Sequence, residues 1–205
     1  MKTPKINWKK TDGLVPVIVQ HARTLQVLML GYMNAAALKQ TLRTKKVTFF
    51  SRSRQRLWTK GESSRNFLKV VSLEVDCDND TLLIQASPDG PTCHRGTVSC
   101  FGESGATGVG FLAQLDQVVA DRIKSGDKSS YTARLVQEGI ARVAQKVGEE
   151  GVETALAALQ KNTREFTGEA ADLLYHLIVL LRARKLSLAD AIAVLEKRHA
   201  PKRPR

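Results

Sequence analysis

The sequence predicts an α+β amino-terminal domain, mostly β, followed by an all-α domain. Three observations lead there. Short β-rich runs crowd residues 14–86, a glycine-rich stretch follows at 102–110, and helical patterning is nearly unbroken beyond it. With 205 residues and 42% apolar content, the chain can bury one large core or two small ones.

The elements follow in order. LVPVIVQ (14–20), TLQVLMLGYM (24–33), KVTFFSR (46–52), FLKVVSLEVD (67–76) and TLLIQA (81–86) read as strands, being β-branched or aromatic runs bounded by polar residues. One helix, NAAALKQTLRT (34–44), interrupts them, with Asn34 as its N-cap. GESGATGVG (102–110) reads as a flexible linker, which divides the chain into domains 1–110 and 111–205. Helices are expected at 111–126, 131–161, 163–184 and 187–199. The second is long enough to break near Gly148 or Gly151, and Thr163 and Ser187 suit helix starts. No internal repeat is present.

Composition narrows the function. No apolar run approaches the ~20 residues that span a bilayer, and MKTPKINWKK lacks a signal-peptide core. A cytoplasmic protein with no membrane partner is therefore expected, in which the three cysteines stay reduced. The net charge of +12 favours polyanionic ligands. Residues 1–110 carry sixteen basic and eight acidic side chains, against sixteen and twelve in 111–205. The closing PKRPR reads as a frayed, solvated tail.

All three cysteines lie in VDCDNDTLLIQASPDGPTCHRGTVSC (75–100), beside a run of aspartates. Cys77, Cys93 and Cys100 can give three thiolates to a zinc ion and leave its fourth position open, the arrangement of a catalytic site. The alternative is buried structural cysteine. His94 adjoins Cys93 and reads better as a proton shuttle than as a fourth ligand. If 73–84 is a strand, Asp76, Asp78 and Asp80 face away from Cys77, so two ions are simpler than one: zinc on sulfur, magnesium on oxygen. The plainer reading of DCDND is an acidic turn. SPDGPTCH sets Cys93 on a stiff corner. Upstream, SRSRQRLWTKGESSRNF (51–67) carries Arg52, Arg54 and Lys60 with Ser63, Ser64 and Asn66, which suits a phosphate-gripping loop. A solvated hairpin or an RNA-binding face with Trp58 and Phe67 as stacking platforms fits the same residues.

The helical half has its own acidic sets. Glu150 and Glu153 are three apart, as are Glu169 and Asp172, so each pair shares a helix face. Two antiparallel helices would gather four carboxylates, which repel one another unless a cation such as magnesium sits among them. Carboxylates placed to favour a helix dipole explain one acid per helix better than two. Glu149 lies one turn from Glu153 and can assist. His176, four residues beyond Asp172, reads as a satisfied core or interface histidine.

GYMN (31–34), FFSRSR (49–54), LWTKGESS (57–64), DCDND (76–80) and GPTCHRGTVSC (90–100) resemble the phosphoribosyl-AMP cyclohydrolase family. KVGEEGVE (146–153) and GEAADLLYH (168–176) resemble phosphoribosyl-ATP pyrophosphatases, relatives of the MazG-like all-α nucleotide pyrophosphohydrolases. Order and linker are similar to those of the fused histidine-biosynthesis enzymes, over nearly the whole chain. The resemblance implies zinc on Cys77, Cys93 and Cys100, shared across a homodimer with Cys77 coming from the other chain. It implies magnesium on Asp76, Asp78 and Asp80, and again on Glu150, Glu153, Glu169 and Asp172. It also implies phosphorylated nucleotides as substrates, with no nucleic acid expected. The helical domain would release pyrophosphate, with Glu149 or Glu150 as base. The first domain would open the adenine ring by zinc-hydroxide attack at C6, with His94 moving protons. Two departures stand out: the family pattern leads one to expect glycine where Lys45 and Arg65 stand. A zinc-dependent purine deaminase is the nearest alternative, but its usual H-x-E and C-x-x-C are absent. A zinc-stabilised RNA-binding protein is the other, and the acidic clusters oppose it.

Overall fold

The protein is described here by a computed structural model covering residues 3–102 and 105–200, so two linker residues and the PKRPR tail lie outside the described residues. The chain divides into two compact units, Met1–Phe111 and Leu112–Arg205.

The first unit contains β1 (Val15–His21), β2 (Val27–Met33), α1 (Ala35–Thr44), β3 (Thr48–Ser51), β4 (Arg56–Thr59), β5 (Leu68–Val75) and β6 (Leu82–Pro88). Four strands form a sheet in the order β2-β1-β6-β5, and β3 pairs with β4 in a separate ribbon. β1 runs antiparallel to β2 and parallel to β6. Alternation along β1 explains the packing: Val15, Val17 and Val19 are fully buried, and Val17 and Val19 lie in register with buried Leu82 and Ile84 of β6. Leu28, Met33, Leu68 and Phe49 complete this core. Asn34 caps α1 by accepting the Ala37 N–H at 2.9 Å, a contact worth about 1 kcal/mol. α1 then buries Ala37, Leu38 and Thr41.

Two expectations need correction here. The basic stretch 51–67, in which the sequence predicts no separate strand, contains β4, paired with β3 as a hairpin in which Trp58 stacks on Phe49 with ring centroids 5.7 Å apart. The strands read at 67–76 and 81–86 are present as β5 and β6, but the continuous strand over 73–84 on which the facing of the aspartates was conditional is not, because residues 76–81 form a turn. Asn79, with a φ of 64°, cannot continue a strand.

The second unit contains α2 (Val109–Ser125), α3 (Tyr131–Gln137), α4 (Ile140–Ala157), α5 (Thr163–Ala183) and α6 (Leu188–His199). The expected helix over 131–161 does break, at Gly139 and not at Gly148 or Gly151, which lie inside α4. Gly139 has a φ of 103°, which ends one helix and starts the next. Asn162, not Thr163, caps α5, its side chain accepting the Glu165 N–H. Ser187 caps α6 through a reciprocal box with Asp190. Val119, Leu135, Val143, Ile178 and Val179 form the core. Fully buried Asp116 accepts from Arg182 Nε at 2.7 Å and from the Leu188 N–H at 3.3 Å, tying α2, α5 and the start of α6 together. None of the described helices is long and apolar enough to cross a membrane.

Candidate functional sites

In the first unit, glycines bring the basic loop and the GPTC corner against each other. A Cβ on Gly61 would lie 2.5 Å from the Asn66 carbonyl oxygen, and one on Gly90 would lie 2.5 Å from Asn66 Oδ1. The loop carrying Lys60, Ser63 and Ser64 is thereby pressed on the GPTC corner. Likewise a Cβ on Gly31 would strike the Phe49 ring at 2.4 Å, which locks GYMN to FFSRSR. The Arg52 guanidinium lies over the Tyr32 ring, 3.8 Å from its centroid, so its direction is set while its N–H edge stays exposed. Arg54, Ser63 and Ser64 are exposed; Ser64 Oγ accepts the Asn66 N–H. Lys60 is different, being buried at 8% exposure.

Cys93 and Cys100 lie close enough that each side chain perturbs the ionisation of the other. The Cys93 N–H donates to the Thr97 carbonyl at 3.0 Å, and the Cys100 N–H to that of Leu28 at 2.8 Å. Ser99, buried between strands, secures the second thiol by donating to the Val27 carbonyl. The Arg95 N–H, then the Thr97 and Cys100 side chains, pull the Cys93 thiol below its ordinary value. Cys100 is pushed the other way, first by partial burial of its sulfur and then by Cys93; the Lys60 charge pulls it back. One thiol is poised to ionise and its neighbour resists a second negative charge, which a cation between them would relieve. The buried Thr92 hydroxyl beside Cys93 has no protein partner among the described residues. His94 is exposed, with Nδ1 3.9 Å from Cys93 Sγ. Cys77 is exposed and joins no group of three metal-donor side chains among the described residues. The donor set fits zinc only in part: two sulfurs are paired here, and the third is elsewhere.

The aspartates converge through the turn. Asp76, Asp78 and Asp80 bring carboxylate oxygens within 4.8 Å of one another. Asp76 Oδ1 accepts the N–H groups of Asp80 (2.9 Å) and Thr81 (3.0 Å), and the Thr81 bond leads in holding its carboxyl below the usual range. The Lys10 ammonium pairs with Asp78, and with Asp80 at 2.5 Å. A cation therefore does sit in this field, and the oxygens suit magnesium equally.

In the second unit, Glu150, Glu169 and Asp172 form a group of the same dimensions, drawn from α4 and α5. Glu153 stands outside that group. It is exposed, and its charge acts on Glu169. Burial, then the charges of Glu153, Glu150 and Asp172, raise the Glu169 carboxyl above its ordinary value. Crowded acids of this kind favour a cation among them, and magnesium fits the oxygen donors. Lys146 bridges Glu149 Oε2 at 2.9 Å and Glu150 Oε1 at 2.8 Å. Glu149 also meets Arg142 at 3.6 Å and accepts from Gln145, and these contacts, Lys146 first, hold it ionised.

Residues 29–102 match the family model described as phosphoribosyl-AMP cyclohydrolase, and residues 112–199 match that of phosphoribosyl-ATP pyrophosphohydrolase. The chain is 60% identical over 195 residues to the histidine biosynthesis bifunctional protein HisIE of Escherichia coli K12, covering 95% of this chain and 96% of that protein. It is 61% identical to the protein of that name from Xanthomonas campestris, over 95% and 93%, and 60% identical to that of Xylella fastidiosa, over 96% and 94%. The chain belongs to this bifunctional cyclohydrolase–pyrophosphohydrolase family.

Its departures from the family pattern now have a physical content. In the cyclohydrolase half Lys45 and Arg65 both hold left-handed backbone, with φ of 57° and 63°. That is the region glycine enters most easily, so the expectation of glycine at these positions matches the backbone seen. Three residues near the sites, Lys10, Lys146 and Tyr131, were not singled out from the sequence. Lys10 is sixty-eight positions from Asp78, and no local pattern links them. Lys146 was legible, being one turn before Glu150. His176 and Tyr131 meet at 3.0 Å across a separation of 45, which sequence spacing does not reveal.

Proposed function

We propose that the chain performs two consecutive hydrolyses in histidine biosynthesis on phosphorylated nucleotides. The helical unit cleaves phosphoribosyl-ATP to phosphoribosyl-AMP and pyrophosphate. The β-rich unit then opens the adenine ring of phosphoribosyl-AMP: water oxygen bonds to C6, the N1–C6 bond breaks, and N1 takes a proton. The observation that carries this reading is the serial match to two families, each over a unit with its own donor cluster.

Magnesium on Glu150, Glu169 and Asp172, with Glu153 alongside, supplies charge neutralisation for phosphate oxygens. Glu149 is the candidate for accepting the proton of the attacking water. Its ion pairs keep it in the proton-accepting form, and the Lys146 ammonium it shares with Glu150 keeps it beside the cluster. Glu150 is committed to the cluster itself.

Zinc on Cys93, Cys100 and Cys77 of a second copy supplies Lewis acidity that brings water's pKa toward ~7. A homodimer is favoured because exposed Cys77 joins no donor group among the described residues of one copy, and because Val98 and Phe101 near Cys100 are 49% and 69% exposed. Exposed His94 is placed to hand the proton to N1. Arg52, directed by Tyr32, with Arg54, Ser63 and Ser64, would hold phosphate, while magnesium on Asp76, Asp78 and Asp80 offsets its charge. Asn66 holds the loop's shape as much as it contacts substrate. Three unpaired thiols agree with a reducing, cytoplasmic setting.

Incubating the protein with phosphoribosyl-ATP and magnesium tests the proposal, with pyrophosphate and the ring-opened product followed together. Both should form in sequence. Ammonia release in place of ring opening would make the first unit a deaminase, and no turnover of either nucleotide would overturn the reading.

A further inference from the structure

We propose that His176, backed by Tyr131, is a positioning residue that fixes Glu150 with one oxygen held by the protein and the other presented to the cation. This rests on reading the Glu150, Glu169 and Asp172 group as a divalent-cation site. His176 and Glu150 are both 5% exposed. Neither could stand there without a partner.

The hydrogen bonds place a proton on the histidine's Nδ1. Nδ1 lies 3.0 Å from the Asp172 carbonyl oxygen and 3.4 Å from Glu150 Oε1. The Asp172 carbonyl is an acceptor, so Nδ1 carries a proton and donates to it, with Glu150 Oε1 in ion-pair range of the same ring edge. Nε2 lies 3.0 Å from the Tyr131 hydroxyl, within hydrogen-bond reach. The ring is also held in place. Tyr131 and Tyr175 meet it edge-on, at 6.1 and 5.2 Å between centroids, and the Tyr175 hydroxyl bonds Thr132 Oγ1 at 2.7 Å. The first turn of α3 thus sets the orientation of a side chain on α5, which in turn sets one on α4.

The contacts to Glu150 are one-sided. Lys146 and His176 both converge on Oε1. Oε2 is the oxygen left to face a ligand among the described residues. A carboxylate oxygen held twice cannot rotate toward a metal, so the pair selects a single ligating oxygen in advance. Metal sites gain affinity from such outer partners, whose loss costs about 10–100-fold.

The test uses full-length, zinc-loaded protein with Asp76, Asp78 and Asp80 all changed to asparagine, so that the helical group reports alone. Mn²⁺ binding is measured by titration calorimetry. His176→Leu should weaken it about 10–100-fold. His176→Asn, whose amide nitrogen takes the place of Nδ1, should stay within a few-fold of the parent. His176→Gln keeps a partner for Tyr131 but not for Glu150, and should resemble His176→Leu. Tyr131→Phe should cost a few-fold. Thermal unfolding in EDTA checks that each variant is folded, and if His176→Leu is not, the Asn–Gln contrast decides. Equal binding by His176→Gln and the parent, while Glu150→Gln loses it, overturns the positioning role and leaves the metal reading intact. So does an asparagine variant as weak as the leucine one. If Glu150→Gln and Asp172→Asn also bind Mn²⁺ unchanged, the metal reading fails and this proposal falls with it.

Discussion

In the β-rich unit, the donor side chains sit on loops whose shape is enforced by glycine contacts and by left-handed residues. In the helical unit, they sit on two helices and are oriented by other side chains. Phe49 on Gly31 and Asn66 between Gly61 and Gly90 are backbone-level constraints with no slack. Lys146, His176 and Tyr131 are hydrogen-bond constraints that a single substitution can loosen one at a time. The first site also pairs sulfurs, of which one ionises more easily and the other less; the second gathers oxygens, whose trouble is mutual repulsion. Rigid loops suit a soft ion with few ligands, and adjustable carboxylates suit a hard ion that keeps water.

The largest effects should separate the two units cleanly. Cys93→Ser removes one of the two paired sulfurs and should cut ring opening on the order of 10³-fold, because a Lewis acid contributes several kcal/mol. Pyrophosphate release from phosphoribosyl-ATP should be unchanged. A strong zinc chelator should act the same way. If Cys93→Ser abolished both activities in folded protein, the assignment of one chemistry to each unit would be wrong. Asp172→Asn should do the reverse, lowering pyrophosphate release about 10²–10³-fold and sparing ring opening of supplied phosphoribosyl-AMP. Measuring each half-reaction with its own substrate checks both.

These predictions lean on residues that the sequence made visible, and it is worth seeing why. Cys93 and Cys100 are close in sequence and Glu169 and Asp172 share a helix face, so short-range periodicity finds them. The aspartates were found for the wrong reason. A strand would have put Asp76, Asp78 and Asp80 on one face; a turn centred on Asn79 gathers them instead, with Asp76 spending an oxygen on the backbone. The acidic-turn reading was right about the shape, and the converging oxygens are a consequence of that shape. Glu153 shows the opposite limit. Spacing pairs it with Glu150, yet it stands outside the group while Glu169 and Asp172, also three apart, both lie within it, so shared facing does not by itself bring oxygens together. The break at Gly139 was missed because three glycines lie in the helical pattern, and only φ tells which one is strained. Contacts across forty-five or more residues, such as Tyr131–His176, lie beyond any periodicity.

A smaller effect concerns the frame of the helical unit. Hydrogen bonds from Ser187, side chain first and then backbone, hold the Asp190 carboxyl below its ordinary range. A carboxyl depressed in the folded state adds stability above its unfolded value near 3.9, and loses it as pH falls through the lower folded value. Asp190→Asn should therefore lower the thermal midpoint at pH 7, with the deficit shrinking below about pH 4. A deficit that stays constant with pH would assign the loss to packing at α6 and not to the capping charge.

The smallest effect probes the rigid loops themselves. Lys45 ends α1 and Arg65 closes the loop pressed on Gly90, both with positive φ. A side chain there costs about 1–2 kcal/mol, while glycine costs about 0.5–1 kcal/mol in backbone entropy. Lys45→Gly and Arg65→Gly should each therefore stabilise the protein by about 0.5 kcal/mol, read as a shift in denaturant midpoint at constant slope. They part company in function. Lys45 is exposed and bonds through its backbone, donating to the Thr41 carbonyl and accepting from the Val70 N–H, so its change should leave turnover alone. Arg65 is exposed in the basic loop, one residue from Ser64 and from Asn66. If its guanidinium grips substrate phosphate, Arg65→Gly raises KM for phosphoribosyl-AMP while stability rises. If it only fills a turn, KM stays constant. The two outcomes decide whether this chain put charge where its backbone favours glycine because the substrate uses it.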